Sequence, residues 1–116
     1  MIKKDGKLLI GGIATREIVK NAHTPYMIFF ADRVKYNINS FCRVFQSVFD
    51  NFQCFYSFKA NFLPDICRII QSEGVGAELI GLPELKLALK LHFPSEKIIV
   101  GGPYLPKELI KKCDKL

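Results

Sequence analysis

Short apolar runs alternate with helical patterns along most of the chain, and this alternation is what most constrains its fold. Four runs predict buried β-strands, at Tyr26–Ala31, Gln53–Phe58, Gly76–Ile80 and Lys97–Val100. They begin at residues 26, 53, 76 and 97, which are 27, 23 and 21 residues apart. Since that spacing leaves room for one helix between successive strands, it predicts βαβ units and a parallel sheet whose strands are adjacent in chain order.

The stretches between these runs carry helix signals. Asp32 is a candidate N-cap for the first helix, while Pro64, Pro83 and Pro106 are suited to helix starts. Gly74 is placed to end the second helix. In the first helix, apolar residues recur at helical spacing and predict one buried stripe, formed by Val34, Ile38, Phe41, Phe45 and Val48.

The length limits how much of a closed sheet can form. A complete eight-unit barrel needs roughly 250 residues, whereas this chain has 116. Four units correspond to half a barrel or to a small open sheet. The last helical pattern continues to Leu116 without a stop signal, so we expect a truncated chain. The predicted fold is α/β, a partial TIM (βα) barrel of about four units with a leading N-terminal β-strand.

The first residues do not follow the repeat. Gly6–Ile13 predicts an extra strand, and Thr15 is a candidate cap for a short helix at Arg16–Asn21. Nothing else in the chain obviously supplies partners for this strand, so we expect it to pair outside the barrel. The predicted organisation is therefore an N-terminal strand and helix, residues 1–23, followed by a barrel portion, residues 24–116.

Lys59 comes directly after the second predicted strand, Gln53–Phe58. The carboxyl ends of core strands are where α/β barrels build their active sites. Burying an ammonium group is costly and favours the neutral amine, which is the form that attacks a carbonyl to give a Schiff base. Lys59 is therefore a candidate nucleophile. The alternative is a lysine that extends from a strand end into water.

Composition argues against several classes of protein. The chain is 49% hydrophobic and carries a net charge of +6, but its lysines are scattered and form no basic stripe, so nucleic-acid binding is not predicted. The charged segment Met1–Lys7 is not followed by a long apolar run, which argues against a secretory signal and a membrane span. We expect a cytoplasmic protein.

The cysteines form no recognisable motif. They are widely spaced, lack a Cys-x-x-Cys pair and have no Cys/His spacing suited to zinc, so no metal site is predicted. We interpret them as small hydrophobic residues in a reducing compartment. They are Cys42, Cys54, Cys67 and Cys113.

A family resemblance covers nearly the whole chain. Residues 56–61, Tyr-Ser-Phe-Lys-Ala-Asn, are similar to the tyrosine-alanine-valine-lysine-alanine-asparagine motif of the fold-type III pyridoxal-phosphate enzymes, the group with an alanine racemase-like barrel. The Lys-Ala-Asn triplet favours the diaminopimelate decarboxylase branch over the Lys-Cys-Asn usual in ornithine decarboxylases. Further matches follow in the family's order, at Thr24–Tyr26, Asp32–Arg33, Gly76–Glu78, Pro83–Leu85, Gly102–Pro103 and Glu108–Leu109.

The resemblance implies a cofactor and a reaction. Lys59 would be the catalytic residue that binds pyridoxal 5'-phosphate as a Schiff base. Glu78, an acid in an otherwise apolar strand, would pair with Lys59 or orient the cofactor; the alternative is a carboxylate at a strand edge in solvent. The implied activity is decarboxylation of a small amino acid, meso-diaminopimelate to L-lysine and carbon dioxide in lysine biosynthesis, by a homodimer. Neither nucleic acid nor membrane is an expected partner.

The match has departures. Gly81–Pro83 replaces the family's usual serine-glycine-glycine, and Leu105 stands where many members carry a lysine. His23 and His92 match no family site residue and are expected at the surface. The family's ring-stacking histidine, phosphate loop, later site residues and C-terminal β-domain, which the leading strand would join, all come from beyond Leu116. We therefore expect this chain alone to be inactive.

Other functions stay open. The same barrel also serves ornithine, arginine and carboxynorspermidine decarboxylases and amino-acid racemases. A degenerate, non-catalytic decarboxylase-like fragment is a further possibility.

Overall fold

The structure, a computed structural model, describes residues 2–4, 6–20, 23 and 25–116. Residues 1–30 and residues 31–116 form two separate units. The first is small and antiparallel, whereas the second contains the parallel sheet and the core.

Three short antiparallel strands and one helix make up the first unit. The strands β1 (Ile2–Lys4), β2 (Lys7–Ile10) and β3 (Ile13–Ala14) pair in that order, and α1 covers Thr15–Val19. The two-residue turn Gly11–Gly12 joins β2 to β3, with φ of 59° and 81°. Positive φ at both positions is what a tight hairpin turn of this kind requires, and glycine adopts it without strain.

The prediction that the leading strand lacks partners within the chain is wrong. Its central part, β2, pairs with β1 on one side and with β3 on the other. Leu9 lies opposite Ala14, and Ile10 lies opposite Ile13. The glycines inside the predicted strand turn the chain back on itself, so one apparent strand becomes a series of hairpins.

The predicted start of the short helix also needs correction. Thr15 is the first helical residue rather than the cap, because Ala14 occupies the N-cap position and makes no side-chain hydrogen bond there. The helix ends at Val19. Asn21, predicted as its last residue, lies outside the described residues.

The first predicted strand of the repeat, Tyr26–Ala31, does not form a strand. Residues 26–30 have no regular secondary structure, and Ala31 already begins helix α2. Asp32 consequently lies in the first turn of that helix instead of capping it. A strand needs a hydrogen-bonded neighbour as well as an apolar sequence, and these residues have no ladder partner in the described part of the chain.

The second unit confirms the alternation of strands and helices for the rest of the repeat. Strands β4, β5 and β6 form a parallel sheet in chain order, with Ser57 opposite Glu78 and Glu78 opposite Ile99. The elements are α2 (Ala31–Gln46), β4 (Phe55–Ser57), α3 (Pro64–Ser72), β5 (Gly76–Leu79), α4 (Leu82–Lys90), a 3₁₀ turn (Ser95–Lys97), β6 (Ile98–Val100) and α5 (Lys107–Cys113). The chain is thus a mixed α/β protein with a three-stranded parallel sheet.

Three helix boundaries follow the sequence signals. Pro64 and Pro83 lie in the first turns of α3 and α4, where a missing N–H removes no helical bond. Gly74 follows Glu73, the C-cap residue of α3, and has φ of 77°; its N–H donates to the carbonyl of Gln71 at 3.0 Å. Gly74 therefore ends this helix, as predicted, through the left-handed conformation that glycine favours.

The core lies between the parallel sheet and its helices. Its buried centre combines Phe58 from the end of β4, Leu79 from β5, Leu85 from α4 and Leu109 from α5, all without solvent exposure. The Phe58 ring meets Phe93 edge-on, with centroids 5.7 Å apart. Burial of these side chains fixes which face of the sheet turns toward the helices.

The predicted stripe on α2 is only partly buried. Val34 and Ile38 pack against a second core cluster around Ile70, but Phe41 and Val48 are 51% and 71% exposed. An apolar helix face of this kind is suited to further packing. No helix in the described residues is both long and apolar enough to cross a membrane.

We predict that Gly76→Ala destabilises the second unit. A Cβ at position 76 would lie 2.7 Å from the Lys97 carbonyl oxygen and would overlap the Phe55 ring. The expected loss in unfolding free energy is about 1–3 kcal/mol. Gly101→Ala is the matched control, because a Cβ there has no neighbour within 4 Å. Denaturant unfolding followed by circular dichroism measures both, and equal stabilities would contradict the packing described here.

Candidate active site

The two faces of the parallel sheet carry different side chains. Tyr56, Ala77 and Ile98 face the helix-side core. Their successors along the strands are Ser57, Glu78 and Ile99, which lie in register on the opposite face, because successive residues of a strand alternate between faces. We call this second surface the open face. It places a hydroxyl and a carboxylate side by side near the carboxyl ends of β4 and β5.

Ser57 and Glu78 are directly bonded across the open face. The Ser57 hydroxyl donates a hydrogen bond to Oε2 of Glu78, and both residues are partly buried. Glu78 lies on β5, which pairs with β4, the strand that leads into Lys59. This position agrees with the prediction from the sequence.

Lys59 follows β4 in a turn and is exposed. The N–H of Phe58 still donates to the Glu78 carbonyl at 3.0 Å, and the N–H of Ala60 then donates to the Ser57 carbonyl at 3.1 Å. The strand therefore ends within a turn that contains Lys59. The idea that burial would activate this amine is not supported, because Phe58 takes the buried position and Lys59 lies beyond it.

Two side-chain hydrogen bonds hold the turn that follows Lys59. The Tyr56 hydroxyl donates to the Asn61 carbonyl at 3.1 Å, and the Asn61 side-chain oxygen accepts the N–H of Leu63 at 3.0 Å. Burial, followed by the neighbouring Cys67, raises the pKa of the Tyr56 hydroxyl. Tyr56 thus packs against the core and also fixes the backbone on both sides of Lys59.

Glu84 holds the chain segment after β5. It is only 6% exposed, and its Oε2 accepts the N–H of Ile80 at 2.7 Å. Because Glu84 lies in the first turn of α4, its charge also suits the positive end of that helix. A backbone N–H at the strand exit is thereby satisfied by a side chain.

The cysteines serve as packing residues. All four are free thiols. Burial raises the pKa of Cys67 to about 11, and nearby Glu84 adds to the shift. Burial also raises the pKa of Cys54 to about 11, with a further contribution from Cys42. Cys54 and Cys67 therefore stay protonated near neutral pH and supply no nucleophile.

A shallow depression of about 280 Å³ adjoins Lys59 and is lined by residues 59–63. A larger cavity of about 350 Å³ lies at the opposite ends of the strands, where Cys54, Gly76 and Lys97 contribute to its lining. Ligands of parallel α/β sheets bind at the carboxyl ends of the strands. We therefore assign the candidate site to the edge with Lys59, although its depression is smaller.

The edge with Lys59 combines three groups of different chemistry. It offers an exposed amine, a carboxylate and a hydroxyl. Lys59 and Glu78 form no ion pair within 4.0 Å in the described part of the chain. His23 and His92 are exposed, as predicted. Fold and site together define an α/β protein with an accessible lysine at the carboxyl edge of its sheet, an arrangement suited to covalent attachment of a carbonyl compound.

Comparison with known proteins identifies the family. The family described as pyridoxal-dependent decarboxylase, pyridoxal binding domain, matches residues 35–115. The diaminopimelate decarboxylases of Aquifex aeolicus and Methanothermobacter thermautotrophicus are 30% and 31% identical over 85% and 87% of this chain. A crystal structure of diaminopimelate decarboxylase from Methanocaldococcus jannaschii superposes with a TM-score of 0.82 at 27% identity, covering 95% of this chain and 26% of that one.

The chain belongs to the pyridoxal-dependent decarboxylase family, in its pyridoxal-binding domain. The resemblance inferred from the sequence motifs is thereby confirmed, and so is pyridoxal phosphate as the cofactor of the family. The chain spans about a quarter of the length of the relatives it matches.

The donor set fits this cofactor. Its aldehyde requires an amine that can approach it, and Lys59 is exposed at the carboxyl edge within the matched residues 35–115. Glu78 and Ser57 lie on the adjoining open face, where they can contribute polar contacts.

Two site residues were not assigned a role from the sequence. Ser57 could have been identified from the alternation of side chains along a strand, which places it on the other face of the sheet from Tyr56 and Phe58. Glu84 was noticed only as a motif match. Its position one residue after a helix-starting proline was the available signal, because first-turn acids often bind free backbone N–H groups.

We predict that Glu84→Ala lowers the free energy of unfolding by about 1–3 kcal/mol, because it removes a buried carboxylate and the partly buried hydrogen bond that this carboxylate accepts from the N–H of Ile80. Glu108→Ala is the matched control. Glu108 also lies in a first turn, but it is exposed, and its one polar side-chain contact among the described residues is a 3.9 Å ion pair with Lys112, so its loss should cost at most about 0.5 kcal/mol. Thermal and denaturant unfolding compare the two, and similar losses would refute the role assigned to Glu84.

Proposed function

We propose that this chain supplies the lysine-bearing portion of a pyridoxal-phosphate-dependent amino-acid decarboxylase. The observation that carries the proposal is the position of Lys59 in a matching motif at the carboxyl edge of β4, beside Glu78 on β5. The names of the relatives favour diaminopimelate as the substrate, with L-lysine and carbon dioxide as products. The chain by itself is proposed to be inactive.

The chain's own residues have distinct tasks in this proposal. Pyridoxal phosphate, when bound, supplies a ring that accepts the electron pair left by the departing carboxyl group. Lys59 holds the cofactor covalently through Nζ, and Glu78 orients it with a carboxylate. The bond between Tyr56 and Asn61 keeps the Lys59 backbone in place.

A wider sheet is part of the proposal. β4 forms one edge of the described sheet, and the sheet is proposed to belong to a partial (βα) barrel of about four units. Residues 1–23 are proposed to associate with a C-terminal β-domain of the kind found in fold-type III enzymes. We place the protein in the cytoplasm, with no nucleic-acid or membrane partner.

We predict that borohydride reduction in the presence of pyridoxal phosphate, followed by peptide mapping, places the cofactor label on Lys59. The experiment uses the protein encoded by the complete reading frame that contains these residues. Lys59→Ala and Lys59→Arg should both lose the visible absorbance of bound cofactor and nearly all decarboxylation, because a guanidinium stays protonated and does not attack.

Lys86→Ala is the control for the labelling experiment. Lys86 is exposed on α4, outside the candidate site, so its replacement should leave labelling and activity unchanged. A label on Lys86, Lys97 or any lysine other than Lys59 would refute the assignment.

We predict that the protein encoded by the complete reading frame is a homodimer, and that the isolated 116-residue chain self-associates. The isolated chain presents the backbone edges of β4 and β6 and the exposed apolar face of α2, and such surfaces favour association. Sedimentation velocity tests both statements. A stable monomer of the isolated chain, or of the complete protein, would contradict the corresponding one.

A further inference from the structure

Ser57 differs from the other residues of β4. Its side chain forms a hydrogen bond to another polar side chain on the open face. Its hydroxyl donates to Oε2 of Glu78, its register partner on β5. The motif that residues 56–61 resemble has alanine at this position, which cannot donate a hydrogen bond. The contact is therefore a feature of this chain's own sequence.

The hydrogen bond restricts how Glu78 presents its carboxylate. A glutamate has three rotatable side-chain bonds, and fixing them costs conformational entropy. The Ser57 hydroxyl holds one oxygen against the neighbouring strand. In the described residues, Ser57 is the hydrogen-bond partner found for this carboxylate, so Oε1 stays available for a contact toward the carboxyl edge.

Strand pairing does not need this side-chain bond. The backbone ladder already pairs Phe55 with Gly76, Tyr56 with Ala77 and Ser57 with Glu78. A hydroxyl with a purely structural role would contribute to folding stability alone. Its effect would then appear in apoprotein stability and not specifically in cofactor binding.

We propose that Ser57 is a positioning residue that orients the Glu78 carboxylate toward the cofactor held by Lys59. This inference rests on the proposed function, and it deepens it by assigning a second residue on β4 to the same site. Ser57 acts through Glu78 and has no contact of its own with the reacting atoms.

A double-mutant cycle tests this role in the protein encoded by the complete reading frame. Ser57→Ala, Glu78→Ala and the double variant are compared for the dissociation constant of pyridoxal phosphate, measured by fluorescence titration, and for apoprotein melting temperature. Ser57→Ala should weaken cofactor binding by about 3–10-fold. In the Glu78→Ala background, the same change should have no further effect, because no carboxylate remains to be oriented.

Two control variants separate positioning from folding. Ser57→Thr keeps the hydroxyl and should restore cofactor affinity. Ser72→Ala removes a hydroxyl that donates to the Ile69 carbonyl within its own helix, and it should leave affinity unchanged.

The outcomes distinguish this inference from the proposed function. Unchanged affinity in Ser57→Ala, additive effects in the cycle, or failure of Ser57→Thr to restore binding would each overturn the positioning role while the wild type still binds cofactor on Lys59. A wild-type protein that does not take up the cofactor on Lys59 would refute the proposed function, and the positioning role with it.

Discussion

The parallel register between β4 and β5 is the constraint on which the candidate site depends. Gly76 permits it, because the Phe55 ring and the Lys97 carbonyl occupy the space that any Cβ would need. From the pair Phe55 and Gly76 onward, the backbone ladder places Ser57 opposite Glu78. A slip of one residue would turn Glu78 toward the helices and Leu79 toward the open face. Core packing and site geometry are therefore set by the same alignment.

Each of the first two parallel strands is followed by a loop that a side chain fastens. After β4 the Tyr56 hydroxyl bonds the Asn61 carbonyl, and after β5 the Glu84 carboxylate bonds the Ile80 N–H. Both fastening groups come from the helix side of the sheet, where burial keeps them in place. These two loops are therefore held by Tyr56 and Glu84 and not by the polar groups on the open face.

Secondary-structure elements that depend on local sequence pattern could be predicted, whereas features that depend on pairing between strands could not. Three parallel strands and the helix starts at Pro64 and Pro83 could be predicted because apolar runs and proline act locally. Residues 26–30 have the same apolar character but no ladder, and the glycines near residue 12 produced hairpins instead of one strand. The family motif located Lys59 and Glu78, whereas the contact of Glu78 with Ser57 required the register, which composition does not encode.

The hydrogen bond between Tyr56 and Asn61 spans the residue that carries the amine, so the anchor of Lys59 is stationary while its four-carbon stem is free. Such a side chain is fixed at its backbone end and mobile at its amine end. The Lys59 amine can change its position by rotating side-chain bonds, without moving the backbone that links the strand to α3. Because rotamer changes of an exposed side chain are faster than loop motions, repositioning this amine requires little reorganisation of the surrounding fold.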